Sequence, residues 1–81
     1  MVRVAGEKFA DDMACLTCVH VLDGANVKVI CRDGQAEWQF LCEQPVHEPF
    51  EARVISLAEA VALDGRLADL SPMAVGEARS I

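Results

Sequence analysis

The cysteines and histidines of this chain are concentrated in one part of the sequence. The four cysteines lie between positions 15 and 42, and each of the two histidines follows a cysteine by no more than five positions. Thiolate sulfur and imidazole nitrogen are the donors that hold Zn²⁺ at tetrahedral protein sites. The sequence therefore predicts a metal site, provided that the surrounding elements bring these side chains together.

Three stretches of the sequence are predicted to form strands. Each is rich in apolar and β-branched residues, and an Asp-Gly pair separates each from the next. Because an Asp-Gly pair between apolar runs is a strong signal for a two-residue hairpin turn, we expect an antiparallel meander. The strands are residues 13–22, 27–32 and 36–42, and the turns are Asp23-Gly24 and Asp33-Gly34.

The second turn predicts a register that can be checked for consistency. A two-residue turn at Asp33-Gly34 places Val29 opposite Trp38 and Val27 opposite Phe40. These pairs share one apolar face, and the opposite face is mostly polar, as expected for a sheet with one buried side. In this register Cys31 is an ordinary residue of the apolar face.

The second half of the chain is predicted to contain one main helix. Ser56 and Glu59 have the spacing of a capping box, with Ser56 as the N-cap. The helix should run to about Asp64, and Gly65 is placed to end it. Residues 53–55 are candidates for a fourth strand.

These elements predict the α+β class. One main helix should pack against a three-stranded antiparallel meander, and the meander gains a fourth strand if residues 53–55 pair with it. The single domain spans residues 13–72. Residues 1–12 are expected to form a loosely ordered arm, and residues 73–81 a tail or an edge strand.

Composition restricts the class of partner. Thirteen acidic and seven scattered basic residues give a formal net charge of −6. Proteins that bind nucleic acid use basic residues to neutralise phosphates, so we expect neither nucleic acid nor an acidic membrane surface as a partner. The first residues contain no apolar segment typical of a signal peptide, and we expect a cytoplasmic protein. A protein partner, including a second copy of the chain, remains compatible with this charge.

One set of four ligands fits the predicted strands best. Side chains at positions i and i+2 of a strand project to the same side, so Cys18 and His20 could bind one ion. Cys42 ends the third strand on that face, and His47 follows in a loop bordered by prolines. Together they form a Cys₂His₂ set for Zn²⁺.

Other interpretations of the same residues stay open. Cys15 and Cys18 have the Cys-x₂-Cys spacing of a zinc knuckle, which Cys42 and His47 would complete. Free cysteines are also common core residues, and this interpretation needs no metal. A thiol-dependent enzyme using Cys42 and His47 lacks an evident oxyanion hole or orienting acid. The acidic residues near His47 are expected to form a solvated rim: they are Glu43, Glu48 and Glu51.

Four segments of the chain resemble a group of small uncharacterised bacterial proteins. Members of the group have a Cys-x-His-Val start, a Trp-Gln-Phe-Leu-Cys strand and a Leu-Ala-Asp-Leu-x-Pro stretch. The resemblance covers residues 18–72 and implies that Cys18, His20, Cys42 and His47 form the shared set. The group has a Gly-Trp segment after the proline, whereas Met73-Ala74 follows it here. The matching segments are residues 18–24, 37–42, 53–57 and 67–72.

The sequence therefore predicts a small non-catalytic binding or accessory protein stabilised by a structural Zn²⁺. The alternative is a metal-free interaction module, similar to immunity or regulatory proteins, whose acidic surface meets a basic partner. The thiol-dependent enzyme is the second alternative.

Overall fold

A computed structural model describes residues 1–43 and 51–81 of the chain. Within these ranges it contains a two-stranded hairpin, a five-stranded mixed sheet and three short helices. The α+β class is thus confirmed. The strands are β1 (Val2–Val4), β2 (Glu7–Phe9), β3 (Ala14–Cys18), β4 (Val29–Arg32), β5 (Trp38–Leu41), β6 (Ala52–Ser56) and β7 (Ala78–Ser80), and the helices are α1 (Val19–Leu22), α2 (Leu57–Leu63) and α3 (Arg66–Asp69).

The predicted three-stranded meander is wrong. The strand order in the main sheet is β6-β3-β5-β4-β7, so β3 and β4 lie on opposite sides of β5. Strand β3 pairs parallel to β5 and antiparallel to β6, while β4 is antiparallel to both β5 and β7. The fourth strand expected at residues 53–55 is present as β6.

The first Asp-Gly pair ends a helix instead of forming a hairpin turn. The predicted strand over residues 13–22 stops at Cys18, and the chain then forms the single helical turn α1. The backbone N–H of Asp23 donates to the Val19 carbonyl at 2.9 Å. Gly24 follows with a φ of +112°, a conformation that glycine adopts at helix C-termini without steric cost.

The second Asp-Gly pair does join antiparallel strands, but in a longer loop than predicted. The Asp33 carboxylate oxygen Oδ1 accepts hydrogen bonds from the backbone N–H groups of Gln35 (2.8 Å) and Glu37 (3.0 Å). This side-chain cap stabilises a loop of three residues between Asp33 and Glu37, which shifts the register. Ile30 therefore pairs with Phe40 and is fully buried, whereas Val29 pairs with Leu41.

The loop holds Ala36 in a strained conformation, which leads to a testable prediction. Ala36 has a φ of +65°, in the left-handed region that favours glycine. We expect Ala36→Gly to raise the free energy of unfolding by up to about 1 kcal/mol, because the relief of strain exceeds the entropy that glycine loses on folding. Urea denaturation followed by circular dichroism measures this change.

Gly34 provides the matched control in the same loop. Its φ is not positive, and a Cβ added there meets no atom within 4 Å. Gly34→Ala should therefore leave stability unchanged or raise it slightly. A loss of stability in Ala36→Gly would contradict the strain at that position.

The core lies between one face of the main sheet and a layer formed by α2, α3 and the β1–β2 hairpin. Trp38 is fully buried at its centre, edge-on to Phe9 at 5.9 Å and stacked with Phe40 at 6.0 Å between ring centroids. The predicted capping box of α2 is confirmed, since Ser56 and Glu59 exchange both hydrogen bonds. Leu57 at the start of this helix is fully buried.

Both ends of the chain join this structure. The first twelve residues, which we expected to form a loosely ordered arm, contain the β1–β2 hairpin, and Val4 in it is fully buried. The last residues adopt the edge-strand alternative as β7. The Arg32 guanidinium links both ends, because it donates to the Glu7 carboxylate at 2.7 Å and to the Met73 carbonyl at 2.9 Å. In the described part of the chain no helix is long and apolar enough to cross a membrane.

Candidate metal centre

Two cysteines meet where a pair of parallel strands ends. Cys18 is the last residue of β3, and Cys42 directly follows β5. These strands pair with Thr17 opposite Phe40, and the buried Thr17 hydroxyl also donates to the Phe40 carbonyl at 2.7 Å. Because parallel strands end at the same edge of a sheet, this register brings Cys18 and Cys42 together.

The short helix α1 brings His20 to the same place. It begins immediately after Cys18, so His20 lies only two positions beyond that cysteine, in the first turn of the helix. His20 Nδ1 lies 3.6 Å from Cys42 Sγ, and the donor atoms of Cys18, His20 and Cys42 all lie within 4.8 Å of one another. These three residues could therefore hold a metal ion.

The reason for this proximity differs from the one that the sequence suggested. We expected Cys18 and His20 to share one side of a strand, whereas His20 lies in a helix. Cys42 was expected to reach the site through a meander, but it arrives through the parallel pairing of β3 and β5.

The environment of Cys18 favours a thiolate. Burial alone raises the pKa of this thiol, but the backbone N–H of Cys42, the backbone N–H of Val21 and the His20 and Cys42 side chains lower it to about 6. Since the thiolate is the form that binds metals, this environment suits a ligand.

The other two cysteines lie apart from this site. Cys15 is buried in the core, where burial and then the negative charge of Glu59 raise the pKa of its thiol to about 11. Cys31 is half-buried in β4, and its sulfur lies outside the cluster of donor atoms formed by Cys18, His20 and Cys42. Cys15 is therefore not placed to act as a ligand in the zinc-knuckle alternative. Cys31 is only half-buried and is not the buried core residue that we expected.

The remaining predicted ligand, His47, lies outside the described residues. A carboxylate that we expected in a solvated rim instead faces the site: Glu51 Oε2 is 3.3 Å from His20 Nε2, and the Glu51 side chain is only 13% exposed. The sequence signalled Glu51 only as one of several acidic residues in a loop. Its proximity to His20 depends on the tertiary position of α1.

A surface cleft of about 320 Å³ borders the site and offers a route for an ion from solvent. Among the residues that line it are His20, Asn26, Lys28 and Cys42. The site thus combines buried sulfur atoms with a histidine that reaches the surface.

Comparison of the chain with protein-family models, with curated proteins and with solved structures found no significant match.

Proposed function

We propose that this chain is a small non-catalytic binding or accessory protein whose fold is stabilised by a structural Zn²⁺. Cys18, His20 and Cys42 are three of the ligands in this proposal, and His47 is the fourth. The observation that supports it most is the convergence of three donor atoms within 4.8 Å at the ends of β3 and β5.

The donor set and its spacing fit zinc. Two thiolates and an imidazole are soft or borderline ligands, unlike the oxygen ligands that Ca²⁺ and Mg²⁺ require. With bonds of about 2.3 Å to sulfur and about 2.0 Å to nitrogen, tetrahedral angles separate the two ligand atoms by about 3.5 Å. The observed distance between Cys42 Sγ and His20 Nδ1 is 3.6 Å.

The position of the ligands favours a structural ion over a catalytic one. The ion would join a strand end, a helix and a second strand end, with His20 and Cys42 separated by 22 positions in the chain. An ion that binds these ligands only in the folded state stabilises the fold by its binding free energy, which matters most in a domain of this small size. Cys18 and Cys42 are only 1% and 6% exposed, so little of either sulfur faces a substrate.

Cobalt binding tests the proposal directly. Protein purified without a histidine tag should contain one zinc per chain, and Co²⁺ in its place should show thiolate-to-cobalt charge transfer and the visible bands of a tetrahedral ion. Cys18→Ser should abolish stoichiometric binding, because it removes a ligand. Cys31→Ser, which changes a cysteine outside the site, should bind as the parent protein does.

Two results would contradict the proposal. One is parent protein that holds no metal and gives no cobalt spectrum, and the other is an equal loss of binding in both serine variants. His47→Ala tests the fourth position. In this variant we expect weaker binding and a cobalt ion whose fourth ligand is an exchangeable water, which changes the visible spectrum.

A protein partner with a basic surface belongs to the proposal as well, since it suits the net charge of −6.

A further inference from the structure

The two ring nitrogens of His20 face different chemical groups. Nδ1 lies 3.6 Å from Cys42 Sγ, on the side of the proposed ion. Nε2 lies 3.3 Å from the Glu51 carboxylate oxygen Oε2. The imidazole is thus placed between a thiol and a carboxylate, and each nitrogen has its own neighbour.

Glu51 is placed to interact with this ring rather than with water. Its side chain is 13% exposed, and its Oε2 atom is buried. The two atoms are within ion-pair distance, yet Oε2 has no hydrogen-bond donor of good geometry among the described residues. A buried carboxylate oxygen without a donor is costly, and a small rotation of either side chain would let the Nε2–H supply one.

Resting on the proposed metal site, we propose that Glu51 is a positioning residue for His20. Its carboxylate accepts a hydrogen bond from Nε2–H and thereby keeps the proton on that nitrogen. The lone pair of Nδ1 then points toward the ion between Cys18 and Cys42. Histidines that bind metals commonly donate their second ring N–H to a carboxylate, which fixes the tautomer and the ring orientation.

Glu51 is not a direct ligand in this arrangement. The donor atoms that lie within 4.8 Å of one another belong to Cys18, His20 and Cys42, and Glu51 is not a member of that group. Its contact is with the nitrogen on the other side of the ring. Its effect on binding is therefore exerted through His20.

Replacement of the carboxylate provides the test. We expect Glu51→Gln to weaken Zn²⁺ binding by roughly 10- to 100-fold, because loss of such partners typically has this effect. Glu43→Gln removes the same charge from an exposed residue at the cleft and should change the affinity by less than about threefold, as expected for weakly interacting surface charges. Competition with a chromophoric chelator measures both affinities.

Nitrogen-15 NMR of the imidazole ring provides a second readout that does not depend on a variant. In zinc-bound parent protein, His20 should carry its proton on Nε2 and none on Nδ1. A His20 proton on Nδ1, or equal affinities of the Glu51→Gln and parent proteins, would overturn the role of Glu51. If the parent protein binds no Zn²⁺, the proposed function fails together with this inference. If the parent protein binds Zn²⁺ and Glu51→Gln binds it with the same affinity, only this inference fails.

Discussion

Zinc is expected to raise the melting temperature of metal-free protein by roughly 10–20 °C when its free concentration is 100 times the dissociation constant. Binding to the folded state alone at this ratio contributes about 2.7 kcal/mol. For a domain of this size, each kcal/mol shifts the melting temperature by about 4–8 °C. Differential scanning calorimetry of chelator-treated protein, with and without added Zn²⁺, measures the shift.

Serine variants show whether this stabilisation comes from the proposed site. Cys18→Ser should lose most of the zinc-dependent shift, because its ligand set is incomplete. Cys31→Ser should keep the shift, since Cys31 is half-buried in β4 and lies outside the group of donor atoms. If chelation leaves the melting temperature of the parent protein unchanged, the ion does not stabilise the fold.

Trp38→Ala is expected to be the most damaging single substitution in the core, lowering the free energy of unfolding by about 3–5 kcal/mol. Trp38 is fully buried and contacts Phe9 and Phe40. The Cζ atom of the Arg32 guanidinium lies 5.1 Å from the centroid of its ring. A domain of this size has a total stability of roughly 4–12 kcal/mol, so the variant should lose a large fraction of it. Urea denaturation monitored by far-ultraviolet circular dichroism measures the loss.

A surface leucine provides the comparison for this substitution. Leu63 ends α2 and is 48% exposed, so Leu63→Ala should change stability by no more than about 0.5 kcal/mol. Zinc should still raise the melting temperature of Trp38→Ala, because none of the three proposed ligands is changed. Equal stabilities of the two alanine variants would show that Trp38 is not central to the core.

The sequence predicted part of the local structure of this fold correctly. The Ser56–Glu59 capping box and the helix that follows depend on residues three or four positions apart, and the structure contains both. The buried face of the third predicted strand is also correct, since Trp38 and Phe40 are almost fully buried. The resemblance to the small bacterial proteins stays a prediction.

Both errors in the sheet came from Asp-Gly pairs. The same dipeptide ends a helix at Gly24 and begins a three-residue loop at Asp33, where the carboxylate caps two backbone N–H groups. Local sequence does not distinguish these uses, because the choice depends on which strands the flanking residues join. A change of loop length also moves residues between the two faces of a strand, which is why Ile30 and Val29 exchanged places.

By itself, the sequence determined which side chains could bind a metal and that Cys18 and Cys42 lie in or beside β-rich segments. Only the tertiary structure decided how they meet. The parallel pairing of β3 with β5 brings the two cysteines to the same edge of the sheet, and the turn of α1 places His20 between Cys42 and Glu51. Strand pairing and the burial of Glu51 depend on contacts between distant segments, so their energies are not encoded in any short stretch of residues.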